Sequence, residues 1–199
     1  MLYQIHRYPA DLIDVVHLRG GRRVVIRPVL PQDAEITSAF FSSLPARARY
    51  DRFMAPLREV SPELVRRFTD IDYADHLALV AEVFADGRET VIAEARYARE
   101  RDPRVAEVAV SVAEDWQGEG LASLMLGKLL RHAAAAGIER MVGETLLTNE
   151  RMLHLARKAG FTATPSPGVH GLVRLERGLA PSSQDVACSE MPARTGART

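Results

Sequence analysis

The sequence predicts an α/β (α+β) domain built on one mixed sheet with helices on both faces. Three observations carry that expectation. Valine-rich runs of strand length recur along most of the chain, and segments with apolar residues at helical spacing separate several of them. Their order is β-α-α-β-β-β-α-β-α-β-β, about seven strands in all, and 199 residues read as one domain plus appendages, long enough to bury a full core.

The elements follow in order. Residues 1–20 read as an extension that packs on the domain, residues 21–179 as the domain, and residues 180–199, too poor in apolar side chains to order themselves, as a disordered tail. "LRGGRR" turns into the first strand, "RRVVIRP" (Arg22 to Pro28). "PQDAEITSAFFSSL" sets Ile36, Phe40 and Phe41 at helical spacing, and "SLPARARYDRFMAP" reads as a short helix or turn. In "SPELVRRFTDID", Ser61 suits the N-cap and Pro62 the first helical position. "HLALVAEVF" and "TVIAEARYA" flank Asp86-Gly87, a hairpin signal, and "RVAEVAVSV" is the next strand. The long helix that follows carries Leu121, Leu124, Met125, Leu129 and Leu130 inward and stops at Gly137. "RMVGETLL" reads as a strand. "NERMLHLARKAG" is a helix capped by Asn149, with Met152, Leu155, Ala156 and Ala159 inward and Gly160 at its end, and "FTATPSPGVHGLVRLER" is two strands about a Pro/Gly turn.

Bulk composition narrows function. The 26 basic and 26 acidic side chains cancel, which argues against a nonspecific nucleic-acid or membrane-surface binder. No run approaches the roughly 18 apolar residues of a membrane span, and the N-terminus lacks the layout of a signal peptide. The single cysteine, Cys188, cannot close a disulfide within the chain, and a cytoplasmic location is the default expectation. The six histidines show no metal-ligand spacing, and there is no G-x-S-x-G elbow, so no metal site and no hydrolase chemistry is expected.

The informative stretch is "VAVSVAEDWQGEGLASLMLGKLLRHAAAAG". Gly118 and Gly120 stand between a strand and a helix whose start carries no capping side chain. The first N–H groups of a helix lack intrahelical partners and sit at the positive end of its dipole, where an anion is favoured. Glycine lets that anion approach the backbone, and Gln117 offers a side-chain amide. A nucleotide P-loop would need Lys-Ser/Thr after the second glycine, where Leu121-Ala122 stand. A dinucleotide fingerprint would need Gly or Ala where Ser123 stands. A tight connection without any ligand is the plain alternative.

The whole string "QGEGLA", Gln117 to Ala122, resembles the Gln/Arg-x-x-Gly-x-Gly/Ala motif of the GNAT N-acetyltransferases. The order of elements from Arg22 to about Arg177 is similar to that family's, and "NERMLHLARKAGF" looks like its second signature. The resemblance implies the GNAT fold, with a mostly antiparallel sheet, and acetyl-CoA as cosubstrate. Its diphosphate would be cradled by the backbone of Gln117, Gly118, Glu119, Gly120, Leu121, Ala122 and Ser123. The strand end at Val110 and Val112 would splay from its neighbour so that the pantetheine amides pair with it. Asn149 would contact the cofactor or hold its helix beside it, a role compatible with plain N-capping.

Acetyl transfer to an amine needs chiefly a general base, because an alkylammonium has a pKa of about 10.4 and only the neutral amine attacks. In "RVAEVAVSV", Ala106, Val108, Val110 and Val112 form one apolar face; Glu107 shares the other with Ala109 and Ser111, small enough to leave a cleft. That carboxylate is a candidate base; an exposed strand glutamate, or a salt bridge to Arg96 or Arg104, is the equal alternative. The strings "HRYPADLIDVVHL", "VVIRPVLPQDA", "RYDRFMAP", "AEVAVSVAEDWQGEGLA" and "MLHLARKAGF" look like the acetyltransferase domain of bacterial Pat-type protein lysine acetyltransferases, which act on acyl-CoA synthetases. That resemblance covers roughly residues 7–178 and implies Glu107 as the base and a lysine side chain of a protein as acceptor. Ala156 stands where many GNAT enzymes carry a tyrosine acid, which implies thiolate departure without a protein acid. The large ligase-like or cyclic-nucleotide-binding domain of well-known Pat-type proteins is not in this sequence, which implies no regulation by such a domain. Arg47, Arg49 and Arg52 around Tyr50 and Phe53, with Arg99-Glu100-Arg101, are candidates to frame a protein docking surface or are simply solvated. A small-amine acceptor would instead use a closed pocket with carboxylates such as Asp70, Asp72 and Asp75, and a non-catalytic acetyl-CoA sensor would not need Glu107. His76 is a candidate to line the cleft or a structural histidine, and His154 faces solvent. With Lys128 and Lys158 the only lysines, self-acetylation has few targets.

Overall fold

A computed structural model describes residues 8–57, 59–85 and 87–179. One sheet of eight strands runs through it in the order β1-β2-β3-β4-β5-β6-β8-β7. The strands are β1 (Asp14–His17), β2 (Arg23–Pro28), β3 (His76–Ala85), β4 (Arg88–Arg99), β5 (Val105–Val112), β6 (Arg140–Leu146), β7 (Thr162–Pro165) and β8 (Leu172–Gly178). Every pairing is antiparallel except β5 with β6. The helices are α1 (Ala34–Ser43), α2 (Ala46–Phe53), α3 (Pro62–Thr69), α4 (Leu121–Ala135) and α5 (Glu150–Lys158).

The strand beyond the expected seven is β1, inside the stretch read as an extension. Asp14-Val15-Val16-His17 is too short to declare itself by alternation. It becomes a strand because the Leu18–Arg22 turn, with Gly21 at φ 77°, folds it onto β2. "SLPARARYDRFMAP" resolves as a helix, α2. The tail expected over 180–199, Cys188 within it, and Asp86 of the hairpin signal lie outside the described residues.

Each face of the sheet has its own core. Leu77 and Leu79 of β3, Ala95 and Tyr97 of β4 and Ala106 and Val108 of β5 pack against Leu121, Met125 and Leu129 of α4, with Ala156 of α5 on the same side. Ala78 and Val80 of β3 point the other way, onto Phe40 and Phe41 of α1 and Val65 of α3. The central strands are therefore covered on both faces, which is why "HLALVAEVF" is apolar at successive positions instead of alternating.

Local chemistry ends the helices where expected. Ser61 Oγ accepts from Leu64 N at 3.2 Å, with Pro62 opening α3. Gly137 and Gly160 take φ 76° and 78° after α4 and α5. There, Ile138 N bonds Ala133 O and Phe161 N bonds Ala156 O, the six-to-one closure that satisfies free carbonyls at a helix end. Asn149 Oδ1 caps α5 by accepting from Met152 N at 3.1 Å.

Candidate functional site

The site begins where two strands part. β5 and β6 pair only at Val105↔Arg140, Ala106↔Met141 and Glu107↔Val142. Beyond that point β5 continues to Val112 and β6 to Leu146 without a shared ladder. Gly143 stands at the divergence: a Cβ there would lie 3.1 Å from Val108 O, so any side chain would push the strands a few tenths of an ångström apart just before they separate. The fork leaves Val110 and Val112 without a strand partner on one side, and Glu107 sits at its closed end.

At the open end of β5 lies the glycine turn. Gly118 and Gly120 have φ 81° and 91°, and no side chain caps α4. A Cβ at either glycine would meet nothing within 4 Å, so the positive φ and the open approach, not crowding, select glycine. The N–H groups of Leu121, Ala122 and Ser123 open the helix toward that clear ground. An uncapped helix start with an unobstructed backbone fits a diphosphate.

The side chains of the turn do something the sequence did not disclose. Gln117 Nε2 donates to Val112 O at 2.9 Å, and its Oε1 accepts from Arg151 of α5. The amide braces the end of β5 against α5, instead of standing free for a ligand. Glu119, an acid in an anion cradle, is neutralised by Arg22 and also accepts from Gly20 N at 3.4 Å. The Arg22 guanidinium lies 3.7 Å over the Trp116 ring. The turn between β1 and β2 is thereby riveted to the glycine turn. Arg22, Trp116 and Arg151 carried no recognisable signal, because their meeting depends on the sheet order.

Glu107 is exposed at the fork on the face shared with α1, α2 and α3; Ala106 and Val108 on either side of it are in the opposite core. Neither arginine named as a possible partner takes it: Arg96 pairs with Glu94, and Arg104 with Asp102 and Glu139. Although solvent reaches the carboxylate, the surrounding protein strips enough hydration to push its pKa up, opposed by the Arg52 cation and assisted by Glu100 and Glu144. On the face where a cleft was expected, Ala109 is half-buried. Ser111 is buried beside Glu94, so the open ground is at Glu107 itself.

Beside it lies a buried ionic cluster. Glu94 is fully buried and its Oε1 accepts from Arg96 Nε. Arg96 also donates to Phe68 O at 3.1 Å and lies 3.8 Å over the Phe68 ring. Arg52, a candidate for an exposed docking surface, is instead enclosed: its guanidinium lies 5.3–5.8 Å from the Phe41, Phe53 and Phe68 rings and 3.6 Å from Glu94 Oε2. Arg49 hydrogen-bonds Ser42 O, while Arg47 reaches Asp51 and Thr148.

His76 belongs to this cluster as a structural residue. Arg96 has only protons to offer, so Nε2 of His76, 3.1 Å from Arg96 Nη1, must be the unprotonated acceptor of a neutral ring. Burial and the Arg96 cation push its pKa down to about 4 from 6.5. The depressed value means that the unfolded chain takes the proton first. The stability this neutral ring contributes is complete above pH 6.5 and is lost as pH falls toward 4, by roughly 2 kcal/mol after allowance for partial exposure. Urea titrations across that range should show the loss in the wild type and a shallower slope in His76→Gln; equal slopes would remove His76 from the balance. His154 is exposed, as expected from its helix position.

A cleft of about 600 Å³ lies elsewhere, between α5 and the β7–β8 hairpin, lined by Leu153, Arg157, Val169 and Leu172 among others and by no residue of the glycine turn. Among the described residues no cluster of His, Cys, Asp or Glu could hold a metal ion, and no helix is long and apolar enough to cross a membrane.

Comparison with known proteins bears on this geometry directly. The model of the Acetyltransferase (GNAT) family matches residues 45–161. Acetyltransferase PA5475 of Pseudomonas aeruginosa is 33% identical over 153 residues, which cover 77% of this chain and 82% of that protein. Acetyltransferase Pat of Mycolicibacterium smegmatis is 34% identical over 146 residues, 73% of this chain but only 43% of that longer protein. The crystal structure of the GNAT domain of S. lividans PAT superposes with a TM-score of 0.78 at 34% identity, covering 86% of this chain and 99% of that one. With the strand fork, the uncapped glycine turn and these matches together, the chain belongs to the Acetyltransferase (GNAT) family and is an acyltransferase.

Proposed function

We propose that the protein transfers the acetyl group of acetyl-CoA directly to a lysine side-chain amine of a protein, with Glu107 as general base. The observation that carries this reading is the position of Glu107 at the closed end of the β5–β6 fork, with the glycine turn at the open end. A cosubstrate whose diphosphate rests on Gly118 to Ser123 and whose pantetheine lies along Val110 and Val112 would bring its thioester toward Glu107. The carboxylate takes a proton from the acceptor ammonium, the neutral amine attacks the thioester carbonyl, and the tetrahedral intermediate expels the CoA thiolate. Ala156 is buried against the core and offers no proton to the leaving group.

Two observations favour a macromolecular acceptor. Glu107 is exposed, so an acceptor on a large partner can reach it. Two of the three carboxylates that a small-amine pocket would draw on are already engaged: Asp72 Oδ1 accepts from the N–H groups of Ala74, Asp75 and His76, and Asp75 pairs with Arg99. The similarity to Acetyltransferase Pat and to S. lividans PAT points the same way, and an acyl-CoA synthetase is the protein class to try first.

The test is transfer of labelled acetyl from acetyl-CoA into a lysate of the source cell and into a purified acyl-CoA synthetase. Labelled lysines, located by mass spectrometry and absent with Glu107→Gln, are the expected result. Thiol release in the presence of small amines without labelled protein would overturn the protein-acceptor reading. The cradle has its own test. Gly120→Val forces a β-branched residue to φ 91° and sets its side chain in the approach to the backbone, so acetyl-CoA affinity is expected to fall about tenfold or more by calorimetry. Unchanged affinity would place the cosubstrate elsewhere.

A further inference from the structure

We infer that Arg22 is a positioning residue for the cosubstrate: it holds the Glu119 carboxylate back on the turn between β1 and β2 and cancels its charge, so that the glycine turn can receive a diphosphate. This rests on the reading of Gly118 to Ser123 as the diphosphate cradle and adds the group that makes the cradle electrically fit for an anion.

The segment before α4 is oddly charged for that task. Within "AEDWQGEG", Ala113 to Gly120, stand Glu114, Asp115 and Glu119 and no cation. The first turn of α4 itself has no acidic residue, so its dipole and free N–H groups favour an anion while the carboxylates just ahead of it oppose one. Glu119 matters most, because it stands between the two glycines that open the backbone. The macrodipole amounts to roughly half a positive charge, and a free carboxylate beside it carries a whole negative one. Left uncompensated, Glu119 would reverse the sign of the site.

The turn between β1 and β2 supplies the compensation. Gly21 N donates to Leu18 O at 2.8 Å and Leu18 N to Arg22 O at 3.0 Å, and Leu18 is buried in the core that α4 covers, so the backbone of Arg22 is fixed. From there its guanidinium makes three contacts with the segment before α4. It pairs with Glu119 Oε1, donates from Nη2 to Asp115 O at 3.0 Å, and lies 3.7 Å over the ring of Trp116, which packs against the same core. The carboxylate is turned onto Gly20: Gly20 N donates to Oε2 at 3.4 Å, and a Cβ at Gly20 would lie 3.3 Å from both oxygens. Gly21, not Gly20, has the positive φ that the turn needs, so the bare Cα of Gly20 serves to seat the carboxylate. Among the described residues Arg22 is the cation paired with Glu119. The two side chains are 37% and 20% exposed, so the pair adds little to stability, and its effect falls on the anion bound next to it.

The experiment is calorimetry of acetyl-CoA binding to Arg22→Met, Glu119→Gln and the double variant. Arg22→Met keeps apolar packing on Trp116 and removes the charge, and its affinity is expected to fall about tenfold, the effect of one uncompensated carboxylate beside the cradle. Glu119→Gln removes that carboxylate and leaves the cation, so it should bind more tightly than the wild type. The double variant should regain most of what Arg22→Met loses. In turnover, the loss in Arg22→Met should fall on KM for acetyl-CoA and not on kcat. Wild-type affinity in Arg22→Met overturns the inference. So does a double variant as weak as Arg22→Met, which would mean that Arg22 touches the cosubstrate itself or only braces the turn. If Arg22→Met fails to fold, Arg22→Lys against Arg22→Gln makes the comparison: the lysine variant should bind more tightly, and equal affinities overturn the inference. Gly120→Val separates this outcome from failure of the cradle. Weakened binding there with wild-type binding in Arg22→Met would keep the cradle and remove Arg22, whereas unchanged binding in Gly120→Val would remove both.

Discussion

Glu107→Gln is expected to lower the turnover number for acetyl transfer about 10²–10⁴-fold, the usual worth of a positioned general base, with acetyl-CoA affinity unchanged. The two expectations separate because of the fork. Glu107 lies at its closed end, whereas the uncapped start of α4 lies beyond its open end, so the amide alters proton transfer and leaves the cradle alone. The replacement is nearly isosteric on an exposed position, so no loss of fold accompanies it. A pH profile adds a sharper discrimination. The wild-type rate should climb through an acidic limb above the ordinary glutamate range, because the surroundings of Glu107 raise its pKa. Without the base, the variant depends on the small fraction of neutral lysine in solution. Its rate should then rise about tenfold per pH unit and level off only near pH 10, the region of the free lysine pKa. A variant with the wild-type rate and profile would show that another group, or water alone, takes the proton.

The parts of this architecture that were legible in the sequence are those fixed by short-range chemistry. The glycines after α4 and α5, the Ser61 and Asn149 caps and the QGEGLA turn each express a backbone requirement that neighbouring residues reveal. Alternation along "RVAEVAVSV" placed Glu107 on the face opposite Ala106 and Val108, and the register agrees. What stayed hidden depends on residues distant in the chain. β1 needed β2 to be a strand. Arg22, Trp116 and Glu119 converge only because the turn between β1 and β2 lies over the start of α4. Arg52 read as part of a docking or solvated arginine cluster because composition cannot show three phenylalanine rings folding around one guanidinium. In "TVIAEARYA" nothing in the run itself marks Glu94 and Arg96 as buried, because their enclosure comes from helices distant in the chain.

That buried pair has the largest consequence for stability. Glu94→Ala is expected to destabilise the protein by about 3–5 kcal/mol, a large share of the roughly 5–15 kcal/mol that holds a domain together. Glu94 is fully buried in the middle of β4, and its carboxylate is the anion nearest both Arg96, whose side chain is 7% exposed, and Arg52, at 11%. Neither arginine can escape to water by changing rotamer alone. Removing the carboxylate therefore strands two desolvated cations facing each other, and the lost attraction is joined by new repulsion. Glu94→Gln separates charge from shape: it fills the same space and accepts a hydrogen bond from Arg96, yet should still lose a large part of the stability. Replacing the pair with apolar residues, Glu94→Leu with Arg96→Met, should be less harmful than Glu94→Ala alone, because it removes one cation together with its anion. Urea denaturation midpoints for these variants decide the matter. A loss under about 1 kcal/mol for Glu94→Ala would mean that water or backbone carbonyls already solvate the guanidiniums, and that the cluster is less sealed than its enclosure by α2 and α3 indicates.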